Sequence, residues 1–119
     1  MKRTLLLGAA LLIAAPVAAS AHALLREAVP AVGSTVHTAP QTLILRFSEG
    51  VEPAFTTVVV TDASGAHVEA ARPQKTADDP RQVSVPLKPL SPGTYTVTWH
   101  ATSVDTHRTE GHFSFTVAP

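Results

Sequence analysis

Cysteine is absent from this chain of 119 residues, and the only methionine is Met1. The fold therefore has no disulfide framework and depends on its core alone. Once Met1 is removed with a leader, no sulfur ligand remains for a soft metal ion such as copper(I). Basic and acidic side chains are balanced, nine of each, and loss of Lys2 and Arg3 with the leader would leave seven basic against nine acidic residues. This balance argues against a nucleic-acid partner.

The beginning of the chain has the pattern of a secretory signal peptide. Two basic residues follow the initiator methionine, and an apolar run then ends in the small residues Ala19-Ser20-Ala21. This order predicts cleavage just before His22. A single-pass anchor is the competing interpretation, but the apolar run is short and is interrupted by Pro16. We expect a signal peptide over 1–21 and one exported domain over 22–119, whose mature form does not span the membrane.

Alternating apolar and polar residues dominate the chain from Gln41 onward. Five segments have the period of two that is typical of half-buried strands. Their apolar positions are Leu43, Leu45 and Phe47; Val58 and Val60; Val83, Val85 and Leu87; Tyr95, Val97 and Trp99; and Phe113, Phe115 and Val117. Weaker candidates at 23–29 and 67–70 bring the total to about seven. We predict an all-β, immunoglobulin-like antiparallel sandwich with Greek-key connections.

His22 would become the first residue of the mature chain. A histidine in that position offers two ligands, because its free α-amine and its ring Nδ1 can close a chelate on one metal ion. The α-amine is far less basic than the amine of lysine, so it loses its proton to a metal near neutral pH with little cost.

The segment Ser103-Val104-Asp105-Thr106-His107 offers two more ligands. In an extended chain, residues two apart point the same way, so Asp105 and His107 should present an oxygen and a nitrogen to one point. With His22 this gives three nitrogens and one oxygen, a set suited to copper(II). Zinc could use the same atoms, but copper(II) stands above it in the affinity order. We predict one copper(II) ion per chain.

The remaining histidines have simpler interpretations. His100 and His112 alternate with aromatic residues expected in the core, so both should face outward. His112 is also close in sequence to the D-x-H triplet and is a candidate accessory contact. His67, beside a hairpin turn, is expected to be a solvated surface residue. A D-x-H triplet in a loop is itself often only solvated or turn-capping, so it is the combination with His22 that favours a metal site.

Several motifs occur in a specific order and spacing along the whole mature chain. They are His22-Ala23, Phe47-Ser48-Glu49, Pro92-Gly93-Thr94-Tyr95 with Trp99, and Ser103 to His107 followed by Gly111 and Phe113-Ser114-Phe115. In these motifs the chain resembles the CopC family of periplasmic copper-resistance proteins. The resemblance implies that His22, Asp105 and His107 bind copper(II) and that Glu49 is an accessory or outer group. Some members have a methionine-rich copper(I) loop, which the matching region 58–70 lacks.

The resemblance also implies a function and partners. It favours a non-enzymatic, monomeric carrier, store or buffer of copper(II) in the periplasm, which could deliver the ion to an inner-membrane copper transport protein of the CopD type. Two alternatives remain open. A copper-dependent oxidase or oxygenase could use the same N-terminal histidine chelate, and a metal-free structural or adhesion module would need only the sandwich.

Overall fold

The computed structural model describes Gly8 and residues 23–76 and 78–119. The predicted signal peptide, Gly8 apart, and the candidate ligand His22 lie outside the described residues. Within them are one turn of 3-10 helix, Pro53–Phe55, and eight strands: β1 Leu25–Val29, β2 Thr35–Val36, β3 Thr42–Phe47, β4 Thr57–Thr61, β5 Gln74–Lys75, β6 Gln82–Pro86, β7 Gly93–Thr102 and β8 Arg108–Val117. This part of the chain contains no helix with the length and hydropathy of a membrane span.

The strands form two four-stranded sheets. The first has the order β1-β3-β6-β5 and the second the order β2-β8-β7-β4. The all-β sandwich is thus confirmed, and the five strands predicted from alternation are β3, β4, β6, β7 and β8. Two details differ: β2 pairs in parallel with β8, and the candidate strand at 67–70 makes only isolated bridges, to the end of β4 and next to the end of β6.

The core lies between the sheets and is made by the inward residues of the alternating pattern. Phe47 of the first sheet meets Trp99 of the second edge to face, with ring centroids 5.2 Å apart. Tyr95 and Phe115 stack within the second sheet at 5.4 Å. Trp99 is buried, as predicted, and so is each of the other apolar positions named for the five strands. Aromatic pairs of this kind stabilise the folded state by more than the burial of their apolar area alone would.

Gly111 is a structural requirement of this core. It pairs with Trp99 across β7 and β8, and a Cβ added at Gly111 would lie 2.5 Å from Cζ2 of the indole. We expect Gly111→Ala to lower the free energy of unfolding by about 1–3 kcal/mol, because the indole ring must move within a packed core. Denaturant unfolding measures this. The penalty should shrink in a Trp99→Leu background, and an equal penalty in both backgrounds would contradict the steric explanation.

Candidate metal centre

The D-x-H triplet lies in the turn that joins β7 to β8. The N–H of Ser103 donates to the carbonyl of His107 at 2.8 Å, and the N–H of His107 donates to Oγ of Ser103 at 3.1 Å. Thr106 has a φ of 73°, a left-handed conformation that is unusual for a β-branched residue. The prediction of an extended chain at this point was therefore wrong: the backbone reverses here.

The turn nevertheless brings the two predicted side chains together. Oδ2 of Asp105 lies 3.3 Å from Nδ1 of His107, and the two side chains are 42% and 52% exposed. Two ligands of one ion at about 2 Å stand roughly 3 Å apart, so this separation fits neighbouring positions around a metal. Both groups remain accessible to an ion from solvent.

Ser103 fixes the carboxylate in place. Its side chain is fully buried, and its hydroxyl donates to Oδ1 of Asp105. This hydrogen bond, with a further contribution from His107, holds the pKa of Asp105 below its ordinary value even though partial desolvation opposes the shift. The carboxylate of Asp105 is therefore ionised at neutral pH, and the hydrogen bond from Ser103 fixes its orientation.

The residues that follow His22 are held beside the same turn. Ala23 is fully buried, and its carbonyl accepts a hydrogen bond of 2.6 Å from the hydroxyl of Thr109, two residues after His107. The N–H of Leu24 donates to Oγ of Ser48 at 2.9 Å, and the N–H of Ser48 returns a hydrogen bond of 2.7 Å to the carbonyl of Leu24. The chain is thus fixed from Ala23 onward, between the end of β3 and the start of β8.

Glu49 follows directly and carries an unusual buried oxygen. Its Oε1 is buried and has no hydrogen-bond partner among the described residues. The next residue, Gly50, accepts a hydrogen bond of 3.0 Å from the N–H of Val104 in the D-x-H turn. A buried carboxylate oxygen is unfavourable without a donor or a cation. Its position next to the turn therefore suits a site that receives an N–H group or a metal ion.

The other histidines lie elsewhere. His112 is on the outward face of β8, opposite Thr98, and the structure does not bring it to Asp105 and His107. His67 is exposed, as predicted, but its Nδ1 lies 2.7 Å from Oε1 of Glu69. Across residues 23–76 and 78–119, no group of three or more His, Cys, Asp or Glu side chains is arranged to hold a metal ion. Among the described residues, the predicted site therefore consists of the pair Asp105 and His107.

Three contacts at this site were not predicted from the sequence. Ser103 could have been suspected, since Ser and Asp two residues apart often close a turn through side-chain hydrogen bonds. Ser48 and Thr109 gave no local signal, because each contacts a chain segment distant in sequence.

Comparison with known proteins gives consistent matches over the whole domain. The family model for the CopC domain matches residues 25–118. Protein YobA of Escherichia coli K12 is 43% identical over 98 residues, covering 82% of this chain and 79% of that protein. Copper resistance protein C of Escherichia coli is 37% identical over 106 residues, covering 83% of each. The crystal structure of CopC from Methylosinus trichosporium OB3b superposes with a TM-score of 0.77 at 35% identity, over 82% of this chain and 95% of that one.

Proposed function

The chain belongs to the CopC family, and from that membership together with the geometry of the turn we propose that it binds one copper(II) ion in the bacterial periplasm. The main observation behind this proposal is the pair formed by Asp105 and His107, whose Oδ2 and Nδ1 atoms lie 3.3 Å apart. The pair is close to Ala23, where Thr109 anchors the beginning of the domain. The protein would carry, store or buffer copper(II) as a monomer. An inner-membrane copper transport protein of the CopD type would receive the ion.

His22 is proposed as the third ligand residue, supplying its α-amine and its ring Nδ1. Its neighbour Ala23 has its carbonyl held by the hydroxyl of Thr109, and Thr109 is two residues along the chain from His107. This proximity supports a shared ion, and it requires the signal peptide to be removed just before His22.

The chemistry of the proposed ligands determines which metal ion the site prefers. Two imidazole nitrogens, one amine and one carboxylate are suited to copper(II), and no sulfur is present to select copper(I). Glu49 is proposed as the accessory group, because its buried Oε1, which has no hydrogen-bond partner within the part of the chain that the structure describes, can accept a hydrogen bond from an N–H of His22. His112, the other candidate accessory contact, is not included in this proposed site, because it lies on the outward face of β8 opposite Thr98.

Binding rather than catalysis is the proposed activity. The carboxylate of Asp105 is held toward His107 and would occupy a strong coordination position, which an oxidase or oxygenase would need for oxygen. We therefore propose that bound copper does not turn over. Reductant-dependent formation of peroxide above that of free copper, with the metal fully bound, would favour the enzymatic alternative.

Copper titration of the mature protein tests the proposal, with the N-terminus at His22 confirmed by intact mass. We expect one tightly bound copper(II) ion per chain and only weak binding of copper(I), because the ligands are nitrogen and oxygen. Absence of a tight copper(II) equivalent would contradict the proposal. So would tight copper(I) binding that persists in His67→Ala.

The hydroxyl of Thr109 allows a subtler test of the placement of His22. Thr109→Val removes the hydrogen bond to the carbonyl of Ala23 and keeps the branched shape of the side chain. A hydrogen bond of this kind contributes about 0.5–1.5 kcal/mol, so copper(II) affinity should fall by roughly two- to tenfold. Competition titration measures the change, with Thr96→Val, at an exposed position of β7, as the matched control. Identical affinities for the two variants would show that this contact does not position His22.

A further inference from the structure

A second group of metal-ligating side chains lies on the outer face of the second sheet. His100 of β7 is directly opposite Glu110 of β8. His112 is two residues beyond Glu110, so the alternation of the strand places it on the same face. All three side chains are exposed, and none belongs to the candidate site at the D-x-H turn.

Two of these three side chains, those of His100 and Glu110, are already as close to each other as two ligands of one metal ion. Nε2 of His100 lies 2.9 Å from Oε2 of Glu110, close to the distance between neighbouring ligands of one ion. His112 is the diagonal cross-strand neighbour of His100. Diagonal neighbours have α-carbons about 7–8 Å apart, within reach of aromatic and long side chains.

The third side chain, His112, would have to turn toward the other two to share an ion with them. In the described conformation, His112 is not grouped with the other two. Its ring is exposed, however, and no backbone movement is needed for it to change between staggered rotamers. Glu110 borders two neighbouring hollows of this face, one lined also by His100 and the other by His112. An ion at Glu110 is therefore accessible from both sides.

A cross-strand ion pair alone would account for His100 and Glu110, but it assigns no role to His112. A metal ion unites all three, with two imidazoles and one carboxylate as ligands for a divalent first-row ion. Arg108 faces the same side of β8 and adds a positive charge nearby. That charge and the exposure of the three ligands make this a weaker site than one built around a chelate.

We propose that His100, Glu110 and His112 form a second, weaker surface site for a divalent ion, with copper(II) favoured by the affinity order. The site is separate from His22, Asp105 and His107 and does not depend on them. When copper is abundant, the protein would hold a second ion on the outer face of the sandwich.

Equilibrium dialysis against copper(II) tests this site in the mature protein carrying His22→Ala, Asp105→Ala and His107→Ala, which removes every side chain proposed as a ligand of the first site. One weak equivalent should remain. Adding His100→Ala or His112→Ala should lower its affinity at least about tenfold, whereas adding His37→Ala, a substitution of an exposed histidine outside both sites, should not. Circular dichroism checks the fold of each variant.

Three results would overturn the proposal. They are absence of the weak equivalent, its persistence in His112→Ala, and an equal loss in His37→Ala, which would indicate nonspecific binding to histidine. These outcomes are independent of the first site, because the side chains proposed as its ligands, those of His22, Asp105 and His107, are absent from every variant compared. Failure of the first site would instead appear as the lack of a tight equivalent in the mature wild-type protein.

Discussion

Acetylation of the α-amine of the mature protein should lower its copper(II) affinity by at least about a hundredfold, a loss of nearly 3 kcal/mol. Only proteolysis before His22 turns the backbone nitrogen of that residue from an amide into a basic amine. Acetylation reverses this change in charge and basicity and leaves the imidazole in place. The chelate is weakened, because the lone pair of the acetylated nitrogen is delocalised into the carbonyl and this nitrogen binds copper(II) only after it loses its amide proton.

The fold should survive this modification. The start of the domain is held by the carbonyl of Ala23 and by the N–H and carbonyl of Leu24, and none of these atoms is acetylated. The core begins with Ala23, which is already fully buried. An affinity loss that accompanies an unchanged circular dichroism spectrum can therefore be assigned to the amine itself.

The chain allows a clean version of this experiment. Beyond the predicted signal peptide, the only lysines are Lys75 and Lys88, so the double variant Lys75→Arg/Lys88→Arg leaves the α-amine as the single amine to acetylate. Competition titration then compares this variant before and after modification. The uncleaved precursor should also bind weakly. Equal affinities before and after acetylation would show that His22 binds through its ring alone or not at all.

The longer strands of the fold could be predicted from the sequence, whereas the two-residue strands and their pairing could not. Strands β3, β6, β7 and β8 alternate over enough residues to reveal their period, and their inward residues form the core. Strands β2 and β5 contain two residues each, which is too short for any period. The parallel pairing of β2 with β8 depends on where a connecting segment crosses the sandwich, and no local pattern records that.

The candidate site was likewise predicted only in part. The D-x-H spacing identified two residues that the structure does bring together, but the prediction assumed an extended backbone where the chain makes a turn. Asp105 and His107 meet because Ser103 closes a turn and Thr106 adopts a positive φ, and a β-branched residue gives no signal of that conformation. The contact of Thr109 with Ala23 joins residues 86 positions apart, so it exists only once both sheets have formed.

Removal of either side chain of the D-x-H pair should have the second large effect. We expect His107→Ala and Asp105→Ala each to lower copper(II) affinity at least about a hundredfold. His107→Ala removes an imidazole nitrogen, and Asp105→Ala removes the only anionic ligand proposed for the ion. Both side chains are about half exposed and lie in a turn, so the free energy of unfolding should change by less than about 1 kcal/mol.

Asp105→Asn separates the charge of this ligand from its position. The amide oxygen can still accept the hydrogen bond from the hydroxyl of Ser103, so the turn should keep its shape, while the negative charge is lost. We expect an affinity between those of the wild type and Asp105→Ala, because a neutral oxygen binds the ion less strongly. Competition titration of the set, with His37→Ala as the exposed-histidine control, measures this order. If Asp105→Ala and His107→Ala both bind copper(II) as the wild type does, the turn is not the metal site, and the proximity of its two side chains has only a structural role.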